Sequence, residues 1–474
     1  MNLILNLYTY LTTLLLALAP FVPSYTEGVT GQPESFLPSQ ATSRTDRTIS
    51  ELMYRGLFKY DIYGTLVPDL VSTWSISEDG MVYTITIKEN QYWSNGKKIT
   101  ADDVIYTSYS VSNLAGVGTD KVDDLTVRFS LPNKYSPFLG LLTVGIMPAG
   151  EVEKGNPIFP TSSGPFRVAR VEREGPLIRE VVLVHNNRQE KIKRLSFRFY
   201  ANEKELVTAA RLGDINGFLA GKEHQIEGFS EYKFPVQGVY YALHFNLREE
   251  KFQDLVFRQK LAKVLPLDEL TFNKGIPVEG AISRSAFTDD SINYDYYDET
   301  VSDVLSDTTV IISVPDIKEH LHLANEIKRF WEGSLGLDVR IRQVDPDEIV
   351  EDVINKRDFE VLLFGQEVSR DPDRYVNWHS TQIDPPGLNI SGFEHVRSDR
   401  ALEEGRNEPD QEARISHYNQ FQNVIHEQVP AIFLYHPFAT YYVSDFYEGI
   451  GEKHTFTLTD RFLDFDNWER VKTN

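Results

Sequence analysis

The stretch 64–110 constrains the fold of this chain more than any other. Within it, residues 81–88 alternate between an apolar and a polar side, which predicts a strand with one buried face. Turns are predicted on either side, at 78–80 and at 94–96, where Asn-Gly suits the positive φ angles of a tight hairpin. Thr100 then caps a helix whose first turn is acidic, as the helix dipole favours. The order strand, turn, helix indicates a mixed α/β unit.

Several residues of rare type stand at fixed spacings in this stretch. They are Leu66-Val67-Pro68-Asp69-Leu70, Trp74, Ser77-Glu78-Asp79-Gly80, Tyr83-Thr84, Trp93-Ser94-Asn95-Gly96 and Thr100-Ala101-Asp102-Asp103-Val104. Together they resemble the signature region of the extracellular solute-binding protein family 5, the peptide- and nickel-binding proteins that feed ABC importers. The plainer interpretation is that these aromatic and glycine residues build a β-rich core. Both interpretations hold together, because this region of the family is mostly scaffold.

The resemblance extends over nearly everything from about residue 25 onward. It implies an α/β, two-lobed, periplasmic-binding-protein-like fold of type II and of the large peptide-binding class, with an extra subdomain in the first lobe. The implied divisions are residues 1–24 as a signal peptide or transmembrane anchor, 25–60 as the first part of lobe I, 61–150 as the extra subdomain, 151–237 as the second part of lobe I, 238–438 as lobe II and 439–474 as the C-terminal return to lobe I.

Composition excludes several classes of protein. A chain of 474 residues exceeds one ordinary core, so two or more folding units are expected. The formal net charge of -22 argues against a nucleic-acid-binding surface. Because there is no cysteine, disulfides, thiol catalysis, cysteine zinc sites and anchoring through a lipidated cysteine are all excluded.

The N-terminus carries a long apolar segment. Residues 3–22 contain no charge and are long enough to cross a bilayer, whereas the apolar part of a signal peptide is usually shorter. Val22-Pro23-Ser24 is a possible cleavage site. The first basic residue is Arg44, so the basic region that usually begins a signal peptide is missing. A start codon upstream of Met1 is an open alternative. We expect one uncleaved N-terminal hydrophobic helix as a membrane anchor, and a cleaved signal is the alternative.

Local patterns predict further elements. Residues 49–58 have helical spacing, with Asp46 or Thr48 as the N-cap, and residues 120–131 alternate as one strand. From Thr308 onward strands and helices alternate, which predicts a largely parallel sheet with ligands beyond the carboxyl ends of its strands. Asp316 and Glu319 are expected to form a capping box, and 345–348 to start another capped helix.

Patterns typical of enzymes are missing. His426-Glu427 has Pro430 where a zinc protease needs its second histidine, and His320 and His322 point to different sides of a helix. The acidic run 289–303 lacks the glycine of a calcium loop, and no pair of carboxylates is marked out for glycosidic cleavage. The sequence therefore predicts no catalytic residue, no metal site and no cofactor.

The segment Gly365 to Trp378 follows a predicted strand of lobe II and is the sharpest candidate for ligand contact. By position in the family, the loop before the helix at 49–58 borders the ligand as well. The predicted ligand-binding residues are Arg44, Thr45, Asp46, Tyr241, His244, Gln366, Glu367, Val368, Ser369, Arg370 and Trp378. A solvated loop at 44–46 and a core position for Trp378 are the plainer alternatives.

One of these positions departs from the family pattern. In peptide-binding members, an Asp four residues before the Pro of this loop often pairs with the α-ammonium of the ligand; here that position is Val368. Glu367 is adjacent and could substitute, yet Arg370 would oppose a cationic ligand. Recognition of a free peptide N-terminus is therefore in question.

The resemblance implies a monomeric, hinge-closing solute-binding protein outside the membrane that delivers peptides or similar small polar solutes to the permease subunits of an ABC transporter. It would be held at the membrane by the N-terminal helix, or be periplasmic or secreted if that segment is cleaved. The alternatives are an anchored surface-binding module without a transporter and, third, an extracellular hydrolase.

Overall fold

The computed structural model describes residues 23–151, 155–187, 189–278, 280–283, 296–298, 300, 301, 305 and 308–471. The predicted hydrophobic segment 3–22 and most of the acidic run 289–303 lie outside them. Across the described ranges, no helix combines the length and apolar character needed to cross a membrane.

The α-helices of these ranges are α1 (Arg44–Met53), α2 (Ala101–Ser110), α3 (Phe138–Leu141), α4 (Glu203–Leu212), α5 (Glu250–Gln253), α6 (Leu255–Lys263), α7 (Leu267–Thr271), α8 (Lys318–Leu335), α9 (Tyr375–Trp378), α10 (Val396–Asn407) and α11 (Gln411–Gln428). The strands are β1 (Ser24–Thr30), β2 (Phe58–Tyr60), β3 (Leu66–Pro68), β4 (Val71–Ile76), β5 (Val82–Ile87), β6 (Gly118–Lys121), β7 (Thr126–Ser130), β8 (Phe166–Glu174), β9 (Leu177–His185), β10 (Arg194–Tyr200), β11 (Gly217–Ala220), β12 (Phe229–Pro235), β13 (Val239–Phe245), β14 (Gly275–Pro277), β15 (Thr309–Pro315), β16 (Asp338–Val344), β17 (Val361–Glu367), β18 (Ala431–Ser444), β19 (Tyr447–Glu448) and β20 (Glu469–Arg470).

The fold has two lobes that share one sheet. Its strand order is β16-β15-β17-β13-β18-β11-β1-β10-β9-β8, and β12 and β14 also pair with β18. The long strand β18 belongs to both lobes, because residues up to Pro437 pair with β13 and β14 and residues from Phe438 onward pair with β12 and β11. The chain passes between the lobes again between β12 and β13. These two neighbouring crossings form a hinge.

Lobe II confirms the predicted parallel strands in part. β15 pairs in parallel with β16 and with β17, as the alternation of strands and helices predicted. β13 pairs antiparallel with β17 and with β18, so the sheet as a whole is mixed. Helix α8 covers one face through the fully buried Trp331, and α10 and α11 cover the other through Leu402 and Phe421. The segment after β17 therefore starts at the carboxyl end of a central strand.

The region of the signature sequence forms a separate small sheet. Its strand order is β4-β5-β7-β6, and the apolar side of β5 is buried as predicted. Thr100 forms the predicted cap of α2, reinforced by Asp103, which accepts from the Thr100 backbone amide at 2.9 Å. This sheet and α2 lie within the residues expected for the extra subdomain.

Three local predictions for lobe I and its subdomain are corrected. The N-cap of α1 is Ser43, whose hydroxyl accepts from the Asp46 amide at 3.1 Å, so the helix starts before the predicted caps. It ends at Met53, because Tyr54 is already extended. Residues 120–131 form part of a hairpin of two strands, β6 and β7.

Two predicted helix caps in lobe II are also wrong. The N-cap of helix α8 is Ile317, which supplies no side-chain cap, and the Asp316 amide bonds to the Val344 carbonyl at the end of β16. The Asp345 carboxylate accepts from the Asp347 amide within a local turn and caps no helix. Only a π-helical turn, Ile349–Ile354, follows it.

Candidate functional site

The cleft between the lobes has one wall built from α1 and from the turn Leu458–Phe462. That turn begins with a capping box formed by Thr457 and Asp460. Thr459 is bound to α1, since its hydroxyl lies 3.2 Å from that of Thr48. The C-terminal return of the chain is thereby fixed against the first helix of lobe I.

Asp460 is a preorganised anion on this wall. Its carboxylate oxygen Oδ2 accepts hydrogen bonds of 2.7 Å from the backbone amides of Phe456 and Thr457. The residue is 4% exposed. Two fixed amide donors hold the charge in place, so it needs little reorganisation to meet a cation.

That cation is Arg370, which comes from the other lobe. Its Nη2 atom donates to Asp460 Oδ2 at 2.5 Å. The guanidinium carbon lies 4.5 Å from the ring centroid of Tyr60 and 5.0 Å from that of Phe456, within the range of cation–π attraction. Asp460, Tyr60 and Phe456 form a cage for a cation, and we call them the acidic cage.

The segment that presents Arg370 is held rigidly in lobe II. Asp371 pairs with Arg414 at 2.7 Å, and Asp373 pairs with Arg406 at 2.8 Å. Arg374 is fully buried and donates to the backbone carbonyl of Asp371 at 2.7 Å. Because helices α10 and α11 supply two of these three arginines, the position of the segment depends on lobe II packing.

Glu51 of α1 faces the same cleft. Its side chain is exposed, and its carboxyl lies within reach of the charges of Asp460, Arg370 and Arg47. Partial desolvation raises the pKa of this carboxyl, the Asp460 charge raises it as well, and Arg370 and Arg47 lower it; together these effects bring the pKa to about 7. Near neutral pH, Glu51 therefore carries less than a full negative charge.

A cavity of about 60 Å³ opens beside α1 at the carboxyl end of β1. Its polar lining includes Arg44, Thr45, Thr48, Arg461 and Glu27. Glu27 and Arg461 neutralise each other, with 3.0 Å between Glu27 Oε1 and Arg461 Nη2. A water needs about 10–15 Å³ of such space, so the cavity has room for several waters or a small polar group.

Several predicted ligand-binding residues lie at this cleft. Arg44 and Thr45 line the cavity, and Arg370 reaches across to the acidic cage. The side chain of Arg44 is exposed, but partial desolvation by the surrounding protein lowers its pKa, helped by the charges of Arg461 and Arg47 and opposed by Glu367. Their part in ligand binding remains a prediction.

Ser369 and Val368, which precede Arg370, form hydrogen bonds that hold the loop in place. The Ser369 hydroxyl donates to the Asp371 carbonyl at 2.8 Å, and the Val368 amide donates to the Gly238 carbonyl at 2.9 Å. Gln366 is mostly buried and accepts from the Tyr240 hydroxyl at 2.6 Å.

The other four predicted residues lie away from the acidic cage. Asp46 is fully buried and accepts from the Glu34 amide. His244 and Trp378, each 1% exposed, stack inside lobe II with 6.1 Å between ring centroids. Tyr241 stacks on Tyr435 at 5.1 Å on the opposite face of the lobe II sheet. A ligand would reach the first three only after a rearrangement.

Sequence reasoning missed the acidic cage and Glu51. The pattern from Thr457 to Asp460 fits a capping box and could have marked the turn. No local signal connects Asp460 with Tyr60 or with Arg370, because tertiary packing alone brings them together.

Comparisons with known proteins agree with this architecture. The family model of bacterial extracellular solute-binding proteins, family 5 Middle, matches residues 65–384. The dipeptide-binding protein of Escherichia coli (strain K12) is 22% identical over 477 residues, covering 86% of this chain and 88% of that protein.

Two solved structures share the fold. The ABC transporter substrate-binding protein CtaP from Listeria monocytogenes has a TM-score of 0.81 and 21% identity, covering 95% of this chain and all of that one. NikZ from Campylobacter jejuni in complex with Ni(L-His) has a TM-score of 0.71 and 20% identity, covering 94% of this chain and 99% of that one.

Proposed function

Because this chain belongs to the bacterial extracellular solute-binding proteins of family 5, we propose that it binds a peptide or a similar small polar solute between its two lobes and delivers it to the permease subunits of an ABC importer. The dipeptide-binding relative and the nickel–histidine complex of NikZ support a small polar ligand. The match along most of the chain supports the same role for the whole protein.

The observation that carries the proposal is the contact between Arg370 and Asp460, which joins groups from both lobes inside the cleft. Since β18 passes through both lobes, rotation near Pro437 and Phe438 opens or closes the cleft without breaking the strand pairing within either lobe. A ligand that contacts both walls favours the closed state by its difference in affinity for the two states.

The proposal includes an extracytoplasmic monomer held at the membrane by residues 1–24, with a cleaved signal as the alternative. Membrane fractionation followed by N-terminal sequencing of the mature chain distinguishes the two. An intact N-terminus in the membrane fraction supports the anchor, and a start near residue 25 in the soluble fraction overturns it.

Native mass spectrometry of the purified full chain tests the central proposal. We expect a small solute to co-purify and to be released on denaturation, and its readdition to raise the Tm. A chain that carries no solute and shows no thermal shift with peptide mixtures would contradict the proposed function.

A further inference from the structure

The acidic cage of lobe I is already filled in this structure. A preorganised carboxylate and two aromatic rings form a site suited to a ligand ammonium, but the guanidinium of Arg370 occupies it. The Arg370 side chain is only 15% exposed. A cationic ligand group would have to displace a tethered cation before it could bind there.

The neighbouring cavity has the opposite chemistry. Among the described residues, the side chain of Arg44 donates no hydrogen bond and forms no ion pair within 4.0 Å. The other arginine of the lining, Arg461, is committed to Glu27 and to the Leu458 carbonyl at 2.5 Å. Arg44 is thus the cation of this lining that is available to a ligand.

The acidic groups around the cavity do not cancel this charge. Glu27 is fully buried, and both its oxygens accept bonds, from Arg461 and from the Tyr441 hydroxyl at 2.7 Å. The pKa of Glu51 is raised to about 7, so its carboxyl carries less than a full negative charge near neutral pH. Glu367 acts on Arg44 electrostatically but forms no ion pair with it in the described ranges. The cavity keeps a net preference for an anion.

We propose that the cleft recognises its solute through an anionic group, a carboxylate in a peptide-like ligand, seated beside Arg44 and Thr45, and that Arg370 fills the place where a ligand ammonium would bind. This inference rests on the proposed function and narrows its ligand class. A peptide with a blocked N-terminus and a free carboxyl end satisfies both conditions. Arg44 and Arg370 are then the residues that determine charge specificity.

Four matched probes test the inference by isothermal titration of the full chain. They are trialanine, acetyl-trialanine, trialanine amide and acetyl-trialanine amide. We expect acetyl-trialanine to bind best and amidation of its carboxylate to weaken binding at least tenfold, because a charge-assisted hydrogen bond is lost. Acetylation of the N-terminus should not weaken binding.

Variants separate the two arginines. Arg44→Gln should lose the preference for the free carboxylate. Arg47→Gln is the matched control on the same helix, since its guanidinium is held by the Thr42 carbonyl at 2.8 Å outside the cavity. Arg370→Ala empties the cage and should raise the affinity for trialanine at least fivefold. Thermal unfolding curves verify that each variant folds.

The inference is overturned if amidation has no effect on wild-type binding, if Arg44→Gln behaves like Arg47→Gln, or if wild type prefers the free amine. If none of the four probes binds and a non-anionic solute co-purifies, recognition through an anionic group is wrong, but the proposed solute-binding function is supported. If none binds and nothing co-purifies, both fail.

Discussion

Arg370 of lobe II donates a 2.5 Å hydrogen bond to Asp460 of lobe I, and this bond bridges the cleft. A second contact also joins the lobes, since the Ser136 amide donates to the Arg406 carbonyl at 2.9 Å. The first bond has a charged donor and a charged acceptor, so it contributes more to closure than a neutral amide bond does.

Arg370→Ala should shift the ligand-free protein towards an open form. The substitution removes a charge-assisted bond worth about 1.5–3 kcal/mol and the cation–π contact with Tyr60. Small-angle scattering should then give a larger radius of gyration for the variant.

The matched control is Arg397→Ala. Arg397 lies at the same distance, 2.5 Å, from the Glu427 carboxylate, but both groups are exposed and belong to lobe II. Its scattering should equal that of wild type. If Arg370→Ala also scatters like wild type, the bond between the lobes does not control closure.

Local elements of this fold were predictable because their signals are local. The alternation in β5 and the Thr100 cap of α2 each depend on residues within one turn or strand. The resemblance to family 5 supplied the long-range arrangement of two lobes. Neither the local patterns nor the family resemblance depends on which side chains contact each other across the cleft.

The candidate site was less predictable because its partners are distant in the chain. Arg370 was singled out as a basic residue in a ligand-facing loop, but Asp460 lies 90 residues further on and forms part of a capping box. The start of α1 was misjudged for another reason: Ser43, Asp46 and Thr48 all suit an N-cap, and local preference cannot rank them.

Glu51→Gln should stabilise the protein at alkaline pH. A carboxyl whose pKa is raised to about 7 in the folded state, from 4.5, binds its proton more tightly there than when unfolded. Wild type therefore loses stability as pH rises from about 4.5 to 7, and the variant does not. Because Glu51 still contacts water, we expect a gain of only about 1 kcal/mol at pH 8 and little at pH 5.

Urea unfolding at both pH values measures this difference. Glu78→Gln, on an exposed turn, is the control and should follow the wild-type profile. A Glu51→Gln variant that is no more stable than wild type at pH 8 would show that the cleft does not hold Glu51 in its protonated form.

His244→Phe should reduce the sensitivity of lobe II to acid. Burial lowers the pKa of His244 to about 3, and its ring nitrogens have no hydrogen-bond partner in the described ranges. Between pH 6.5 and about 3, the unfolded chain binds a proton at this histidine and the folded protein does not. The free energy of unfolding therefore falls as the pH drops below 6.5. From pH 7.5 to pH 5, wild type should lose about 2 kcal/mol at this site alone.

The phenylalanine variant cannot take up that proton, so its unfolding free energy should fall less between the two pH values. The exposed His322→Phe variant should keep the wild-type pH dependence, since His322 is 68% exposed. Equal acid sensitivity of His244→Phe and wild type would contradict the assignment of a buried neutral imidazole.

Asp371→Asn should destabilise lobe II and weaken closure together. Its carboxylate pairs at 2.7 Å with Arg414, whose side chain is 6% exposed, so the amide leaves a buried cation poorly compensated at a cost of about 3 kcal/mol. Asp358→Asn breaks a 2.9 Å pair with Arg342 in which Asp358 is 64% exposed, and should cost under about 1 kcal/mol. Urea midpoints compare the stabilities of the two variants.

Small-angle scattering tests the effect on closure. Because Asp371 directly follows Arg370, only Asp371→Asn should enlarge the radius of gyration. If the two variants have the same radius of gyration, closure of the cleft does not depend on how this loop is anchored.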